Sequence, residues 1–99
     1  SVADIDAAVS QGPGLRWALF GPHMTFNLGG GPGGLANFMH HLLGPVQTWW
    51  DDLGTPEMTP ELQQRLIEGV QAEAGARSMA DLVQARDADL TALLKALQR

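Results

Sequence analysis

The pattern that most limits the fold is the recurrence of apolar residues at spacings of three and four. No stretch of the chain alternates apolar and polar residues. Spacings of three and four place side chains on one face of a helix, whereas a half-buried strand requires alternation. The longest such series runs from Leu35 to Leu53. We therefore predict an all-α chain of five or six helices.

Capping residues predict where several helices begin. Ser1 with Asp4, and Ser78 with Asp81, have the spacing of a capping box, in which a hydroxyl accepts a hydrogen bond from the amide three residues on. Pro22 fits the first position of a helix, where a missing N–H costs nothing. These signals predict helices that begin near residues 2, 22 and 79.

Glycine and proline predict the breaks between helices. Pro60 fits the start of a helix that Gly75 ends. The segment from Gly54 to Met58 is predicted to be a linker. Pro45 lies inside the longest apolar series, and proline clashes with the carbonyl four residues before it. We therefore expect a kink or a break near Gly44.

Charge is distributed unevenly along the chain. The 99 residues carry a net charge of −5, yet Arg16 is the single Asp, Glu, Lys or Arg between residues 7 and 50. An acidic chain repels phosphate backbones and anionic lipids, so nucleic acid and membranes are not expected partners. A charge-poor half of a small chain predicts that part of this surface faces another chain or domain. The absence of cysteine excludes disulfides and Cys-based zinc sites, and fits a cytoplasmic protein.

Arg16 is the most informative candidate residue. A guanidinium in apolar surroundings needs an anionic partner, and residues 7 to 50 contain no acid. Arg16 could bind a ligand carboxylate or phosphate through its fork of donors. It could instead form a structural ion pair with a distant acid, or lie exposed with its stem on Trp17.

Three other patterns have weaker functional interpretations. Gly29, Gly31 and Gly34 match a dinucleotide-binding fingerprint by spacing, but the required strands before and after them are missing. The histidines are better explained as solvated or interface residues than as metal ligands, because neighbouring helical positions do not converge. The tryptophans could form an aromatic cage for a quaternary ammonium group, although helix packing explains two of them equally well. The histidines are His23, His40 and His41, and the tryptophans are Trp17, Trp49 and Trp50.

Three motifs carry a family resemblance. They are D-I-D-A-A at residues 4–8, G-P-G-L-R-W-A at residues 12–18 and G-P at residues 21–22. In these three motifs, the chain resembles the C-terminal domain of the 3-hydroxyacyl-CoA dehydrogenase family. The similarity is strongest to the branch of L-carnitine dehydrogenases and L-gulonate 3-dehydrogenases (lambda-crystallin).

The resemblance implies a fold and a domain organisation. Residues 1–99 are expected to be an all-helical substrate-closing and dimerisation domain of the 6-phosphogluconate dehydrogenase C-terminal-like type, truncated and lacking its opening helix. An N-terminal Rossmann domain, absent from this chain, is expected to bind NAD and carry the catalytic residues. This fragment alone is then expected to be inactive, without a catalytic, cofactor-binding or metal-ligating residue of its own.

The resemblance also implies partners and site residues. Arg16 and Trp17 are expected to bind a small 3-hydroxy acid or its CoA thioester in a cytoplasmic homodimer. The expected dimer interface consists of Phe20, Pro22, Phe26 and Leu28. Two alternatives stay open. One is the same domain of a 3-hydroxybutyryl-CoA dehydrogenase, and the other is a helical interaction module without catalysis.

Overall fold

The computed structural model of the chain describes residues 1–98, and every regular element in this range is helical. The all-α prediction is confirmed. Six α-helices and one 3₁₀ turn follow one another, and they are α1 (Val2–Ser10), α2 (Pro13–Leu19), α3 (Pro22–Gly29), the 3₁₀ turn (Gly31–Gly33), α4 (Gly34–Asp52), α5 (Pro60–Ala74) and α6 (Met79–Ala96).

The chain divides into two compact units. We call residues 7–59 the central unit, which holds α2, α3 and α4. We call residues 1–6 together with the chain from residue 60 onward the terminal unit, which holds α5 and α6. Helix α1 contributes its first residues to the terminal unit and its last residues to the central unit.

The predicted helix starts are present. The Ser1 hydroxyl accepts a hydrogen bond from the Asp4 amide (3.1 Å) and donates one to the Asp4 carboxylate (2.8 Å). The Ser78 hydroxyl accepts from the Asp81 amide at 3.1 Å. Both caps satisfy an amide of the first helical turn that has no partner inside the helix. Pro22 begins α3 as predicted.

Helix α5 also ends where the sequence predicts. Gly75 follows it with a φ of +60°, the left-handed conformation that glycine adopts without a steric cost. The guanidinium of Arg77 donates from Nε to the carbonyl of Ala74 (3.1 Å) and from Nη2 to that of Glu73 (2.9 Å). These bonds satisfy two of the last carbonyls of α5.

A kink or a break was predicted near Gly44, and the break is wrong. Helix α4 runs as one α-helix through Pro45 to Asp52. Gly44 has no Cβ to clash with the proline ring, which lowers the cost of helical backbone at the residue before proline. Pro45 lacks the N–H that would donate to the carbonyl of His41, so the helix loses one backbone hydrogen bond there. One lost backbone bond is therefore tolerated within a helix of 19 residues.

The apolar side chains of residues 1–98 do not form a fully buried core. Every large apolar residue in this range keeps some contact with solvent, and the most exposed ones reach 73% at Leu53 and 76% at Met79. A stable soluble domain normally covers such side chains. This exposure supports the prediction that the chain meets another chain or domain. Within the same range, no helix combines the length and apolar character needed to cross a membrane.

Candidate functional site

Helix α2 presents Arg16 to solvent. The helix has seven residues and opens with Pro13, and Arg16 lies in its last turn. A cation there is favourable because the helix dipole is negative at that end. Arg16 is exposed, and no ion pair or side-chain hydrogen bond joins it to another residue in the part of the chain that the structure describes. Its five N–H donors are therefore available to an anion from outside these residues.

Trp17 follows Arg16 on the same helix and is 45% exposed. Neighbouring helical residues point about 100° apart, so Arg16 and Trp17 do not face each other. A ligand with two recognisable ends can nevertheless reach both, one end at the guanidinium and the other at the indole.

The four predicted interface residues lie in different surroundings. Phe20 caps the C-terminal end of α2, and Pro22 is the first residue of α3. The ring of Phe26 stacks on that of Phe38 in α4, with centroids 4.9 Å apart and planes 17° apart. Leu28 is 59% exposed and lies two positions after Phe26, hence on another face of α3. Phe26 therefore packs on α4 within the central unit and stays 37% exposed, while Leu28 is more exposed, at 59%.

The glycine-rich segment is a tight corner between α3 and α4. A Cβ at Gly30 would collide with the carbonyl of Gly34, so glycine is required for this close approach of backbone to backbone. Asn27 accepts a hydrogen bond from the Leu35 amide (2.9 Å), and Asn37 donates one to the Gly30 carbonyl (2.9 Å). These asparagines hold the corner closed, and sequence analysis did not single them out.

This corner does not fit a nicotinamide dinucleotide. Gly31 and Gly34 have φ values of +65° and +62°, which the turn itself requires. The fingerprint for such a cofactor needs a strand before its glycines, whereas here they follow helix α3. The space beside Gly30 and Gly34 is filled by the chain's own backbone and by the Asn27 side chain. The spacing match of Gly29, Gly31 and Gly34 thus reflects a helix–helix connection.

Helices α3 and α4 enclose an apolar groove of about 190 Å³. The stacked Phe26 and Phe38 form part of its wall. His23 is the titratable residue among those that line it, and the full lining is His23, Phe26, Leu35, Phe38, Met39, Leu42, Leu43 and Val46. The apolar series of α4 predicted a buried face, but the sequence could not show which part of that face α3 covers.

The terminal unit has a second groove, of about 530 Å³, between α1 and α5. Arg65 and Glu73 lie among apolar residues of its lining, and α1 and α5 approach closely where Val2 meets Gly69. A hydrogen bond with the carboxyl of Asp6 raises the pKa of Glu73, and slight desolvation and the negative charge of Asp6 raise it further. Two carboxyl groups therefore meet where α1 packs on α5.

The histidines and the tryptophans of α4 form no evident ligand site. The rings of His40 and His41 lie 5.3 Å apart at 73°. No group of three His, Cys, Asp or Glu residues suited to a metal ion occurs within residues 1–98. Trp49 and Trp50 are 59% and 62% exposed and, as adjacent helical residues, point in different directions.

Comparison with known proteins finds L-carnitine dehydrogenases that are similar over the whole chain. An L-carnitine dehydrogenase of Nocardiopsis dassonvillei is 42% identical over 98 residues, which is 99% of this chain and 30% of the relative. The L-carnitine dehydrogenase of Streptomyces coelicolor is 41% identical over 100% of this chain and 31% of its own length. That of Bacillus cereus is also 41% identical, over 97% of this chain and 29% of its own length. The chain thus spans about 30% of the length of these curated relatives. No family model and no solved structure matches the chain.

Proposed function

Because this chain is a homologue of the L-carnitine dehydrogenases along its whole length, we propose that it is the C-terminal helical domain of an NAD-dependent dehydrogenase for a small 3-hydroxy acid. The observation that carries this proposal is an identity near 41% across all 99 residues, together with an exposed Arg16. NAD binding and hydride transfer would belong to another part of the full-length protein. The chain itself would bind and orient the substrate and contact a second subunit.

Arg16 is the residue that would hold the substrate carboxylate. A guanidinium forms two parallel hydrogen bonds to a carboxylate, and these fix the orientation of the acid as well as its position. The exposed Arg16 has no such partner among residues 1–98. A free carboxylate favours a 3-hydroxy acid such as L-carnitine or L-gulonate over a CoA thioester, in which that carboxyl group is esterified.

Trp17 would contact the opposite end of the substrate. A trimethylammonium group has no hydrogen-bond donor and is attracted to the face of an indole ring. The half-exposed ring of Trp17 offers such a face beside Arg16. A substrate with a carboxylate at one end and a quaternary ammonium at the other matches the divergent directions of these two residues.

We also propose a cytoplasmic homodimer whose interface includes Phe20, Pro22, Phe26 and Leu28. The exposed fraction of Leu28 (59%) and the position of Phe20 and Pro22 at the α2–α3 junction support this interface. The absence of cysteine suits a reducing compartment.

The first experiment replaces Arg16 with methionine in the complete enzyme. Loss of a charge-assisted hydrogen bond costs about 1.5–3 kcal/mol, so we expect KM for L-carnitine to rise about ten- to one-hundredfold. The affinity for NAD should stay unchanged. Arg86→Met is the matched control, since Arg86 pairs with the neighbouring Asp87 at 2.8 Å and lies on the exposed surface of α6. A KM within twofold of the original enzyme in Arg16→Met would refute the assignment.

A second experiment separates the two ends of the substrate. Trp17→Leu should raise KM for L-carnitine while leaving KM for 3-hydroxybutyrate, which has no ammonium group, almost unchanged. Arg16→Met should raise both. Assays with L-carnitine, L-gulonate and 3-hydroxybutyryl-CoA then distinguish the branches of the family. Equal effects of Trp17→Leu on both acids would remove Trp17 from the ammonium site.

The alternative is a helical interaction module without catalysis. The observation that favours it is the large number of exposed apolar side chains, which suit protein contacts as well as a substrate-closing domain. If the complete protein oxidises neither L-carnitine, nor L-gulonate, nor 3-hydroxybutyryl-CoA, this alternative is supported.

A further inference from the structure

Helices α2 and α3 are joined by a short connection whose own residues restrain it little. Phe20 and Gly21 link Leu19, the last residue of α2, to Pro22, the first residue of α3. Gly21 is the N-cap of α3 but has no side chain with which to cap it, and Pro22 has no N–H to donate. Glycine is also the residue that restricts backbone rotation least. The connection by itself therefore does little to fix the angle between α3 and α2, the helix that carries Arg16.

A side-chain hydrogen bond crosses this connection. The hydroxyl of Thr25, in α3, donates to the carbonyl of Gly21 at 3.0 Å and has the carbonyl of Phe20 as a second acceptor at 3.3 Å. The first contact is ordinary, because threonine in a helix can bond the carbonyl four residues before it. The second contact is different, since Phe20 lies outside α3 and is the C-cap of α2. Thr25 thus holds the end of one helix from the first turns of the next.

The backbone of Phe20 continues this connection to Arg16. Its N–H donates to the carbonyl of Arg16 at 3.1 Å, while its carbonyl accepts from the Thr25 hydroxyl. Two hydrogen bonds in series therefore run from Thr25 through Phe20 to the backbone of Arg16. Helix α2 also packs against α3, so the position of Arg16 depends on how the end of α2 is held on that helix.

Two other threonines show the same bond without a link between helices. Thr48 donates to the carbonyl of Gly44 at 3.2 Å within α4, and Thr91 donates to that of Asp87 at 2.7 Å within α6. In both cases the donor and the acceptor belong to one helix. Such a bond affects the stability of that helix but does not set the angle between two helices. Thr91 therefore provides a matched control for Thr25.

We propose that Thr25 is a positioning residue, which fixes the end of α2 on α3 and so directs the guanidinium of Arg16 toward the substrate carboxylate. This inference rests on the proposed function, because it needs Arg16 to bind that carboxylate. A binding group must be held within about 0.5 Å and 10–20° of its productive geometry, and the hydrogen bonds behind it provide this support. Thr25 acts without contacting the substrate, and its effect reaches the substrate through Arg16.

The test removes the hydroxyl of Thr25 in the complete enzyme. Thr25→Val keeps the β-branched shape of the side chain but has no donor. We expect KM for L-carnitine to rise about three- to tenfold with kcat changed less than about twofold, as the loss of one neutral hydrogen bond allows. This rise is smaller than that expected for Arg16→Met, because the long arginine side chain can follow part of the shift. Thr25→Ser retains the hydroxyl and should keep KM within about twofold of the original enzyme.

Three comparisons separate this role from a loss of stability. Thr91→Val removes the same kind of bond and should lower the thermal unfolding midpoint as Thr25→Val does, while KM for L-carnitine stays unchanged. Thr25→Ala also removes the hydroxyl but favours the helix, so its KM should rise as in Thr25→Val even if the valine variant folds poorly. The double variant Thr25→Val/Arg16→Met should have the KM of Arg16→Met alone, because Thr25 has nothing to position once the guanidinium is gone.

Each outcome decides the proposal. If Arg16→Met raises KM while Thr25→Val and Thr25→Ala leave it unchanged, the proposed function stands and the positioning role of Thr25 is refuted. If Arg16→Met leaves KM unchanged, the proposed function fails and the role of Thr25 fails with it. An effect of Thr25→Val that persists undiminished in the Arg16→Met background shows that Thr25 acts by another route and overturns the proposal. A KM as high in Thr25→Ser as in Thr25→Val shows that the hydroxyl is not responsible.

Discussion

Replacement of Gly69 with alanine tests how α1 packs on α5. Gly69 lies in the interior of α5, where glycine is the less favourable residue by about 1 kcal/mol relative to alanine. A Cβ at this position would collide with Cγ2 of Val2 and lie 2.9 Å from its Cβ, closer than real Cβ atoms approach. The substitution therefore improves the helix and damages the contact.

The magnitudes decide which effect is larger. Overpacking a close contact costs about 1–3 kcal/mol. Valine has a single strongly preferred rotamer in a helix, so its methyl groups cannot move aside at low cost. We expect Gly69→Ala to weaken the docking of α1 by about 1 kcal/mol net. In a Val2→Gly background the colliding atoms are absent, and the same substitution should stabilise the protein by about 1 kcal/mol.

Hydrogen exchange of the α1 amides and thermal unfolding measure the two effects. The four proteins of the double-mutant cycle should give a coupling free energy of about 2 kcal/mol between positions 2 and 69. Hydrogen exchange of the α1 amides should be about fivefold faster in Gly69→Ala. A weakening of about 1 kcal/mol corresponds to this factor, because about 1.4 kcal/mol corresponds to a factor of ten. Equal stabilisation by Gly69→Ala in the original protein and in the Val2→Gly background would refute the close packing of α1 on α5.

Two further predictions concern polar contacts. The raised pKa of Glu73 means that the folded protein binds this proton more tightly than the unfolded chain, so stability is greatest below the ordinary value of 4.5 and falls as pH rises through the raised pKa. Glu73→Gln, which cannot ionise, should abolish this part of the pH dependence in urea titrations between pH 4 and pH 7, and an unchanged slope would contradict the contact with Asp6. Asn27→Ala leaves the Leu35 amide without its partner and should cost about 1–2 kcal/mol in thermal unfolding. Asn27→Asp keeps an acceptor oxygen, so it should lose less, and equal losses would argue against this hydrogen bond.

Local signals predicted most of the secondary structure. Ser78 caps α6 and Gly75 ends α5 because each satisfies backbone groups through neighbours three to five residues away, which a sequence displays directly. The break that was predicted near Pro45 does not occur. Whether a helix tolerates proline depends on the residue before it, and Gly44 has no Cβ to clash with the proline ring.

The candidate site was only partly accessible from the sequence. The absence of nearby acids singled out Arg16, and the structure places it exposed at the end of α2. Its binding of a substrate carboxylate stays a prediction. Asn27 and Asn37 were missed because their partners lie eight and seven residues away, respectively, across a turn, a distance that no helical or strand period encodes.

The sequence by itself determined that the chain is helical, where most helices begin and end, and that its central part is almost free of charge. These properties depend on backbone propensity and on neighbours within one or two turns. Only the tertiary structure decided which apolar side chains are covered. Phe26 stacks on Phe38, while Trp50 and Leu53 stay exposed, because α3 is too short to reach along α4. Apolar periodicity shows that a face avoids water, but coverage depends on the lengths of the helices that pack against it.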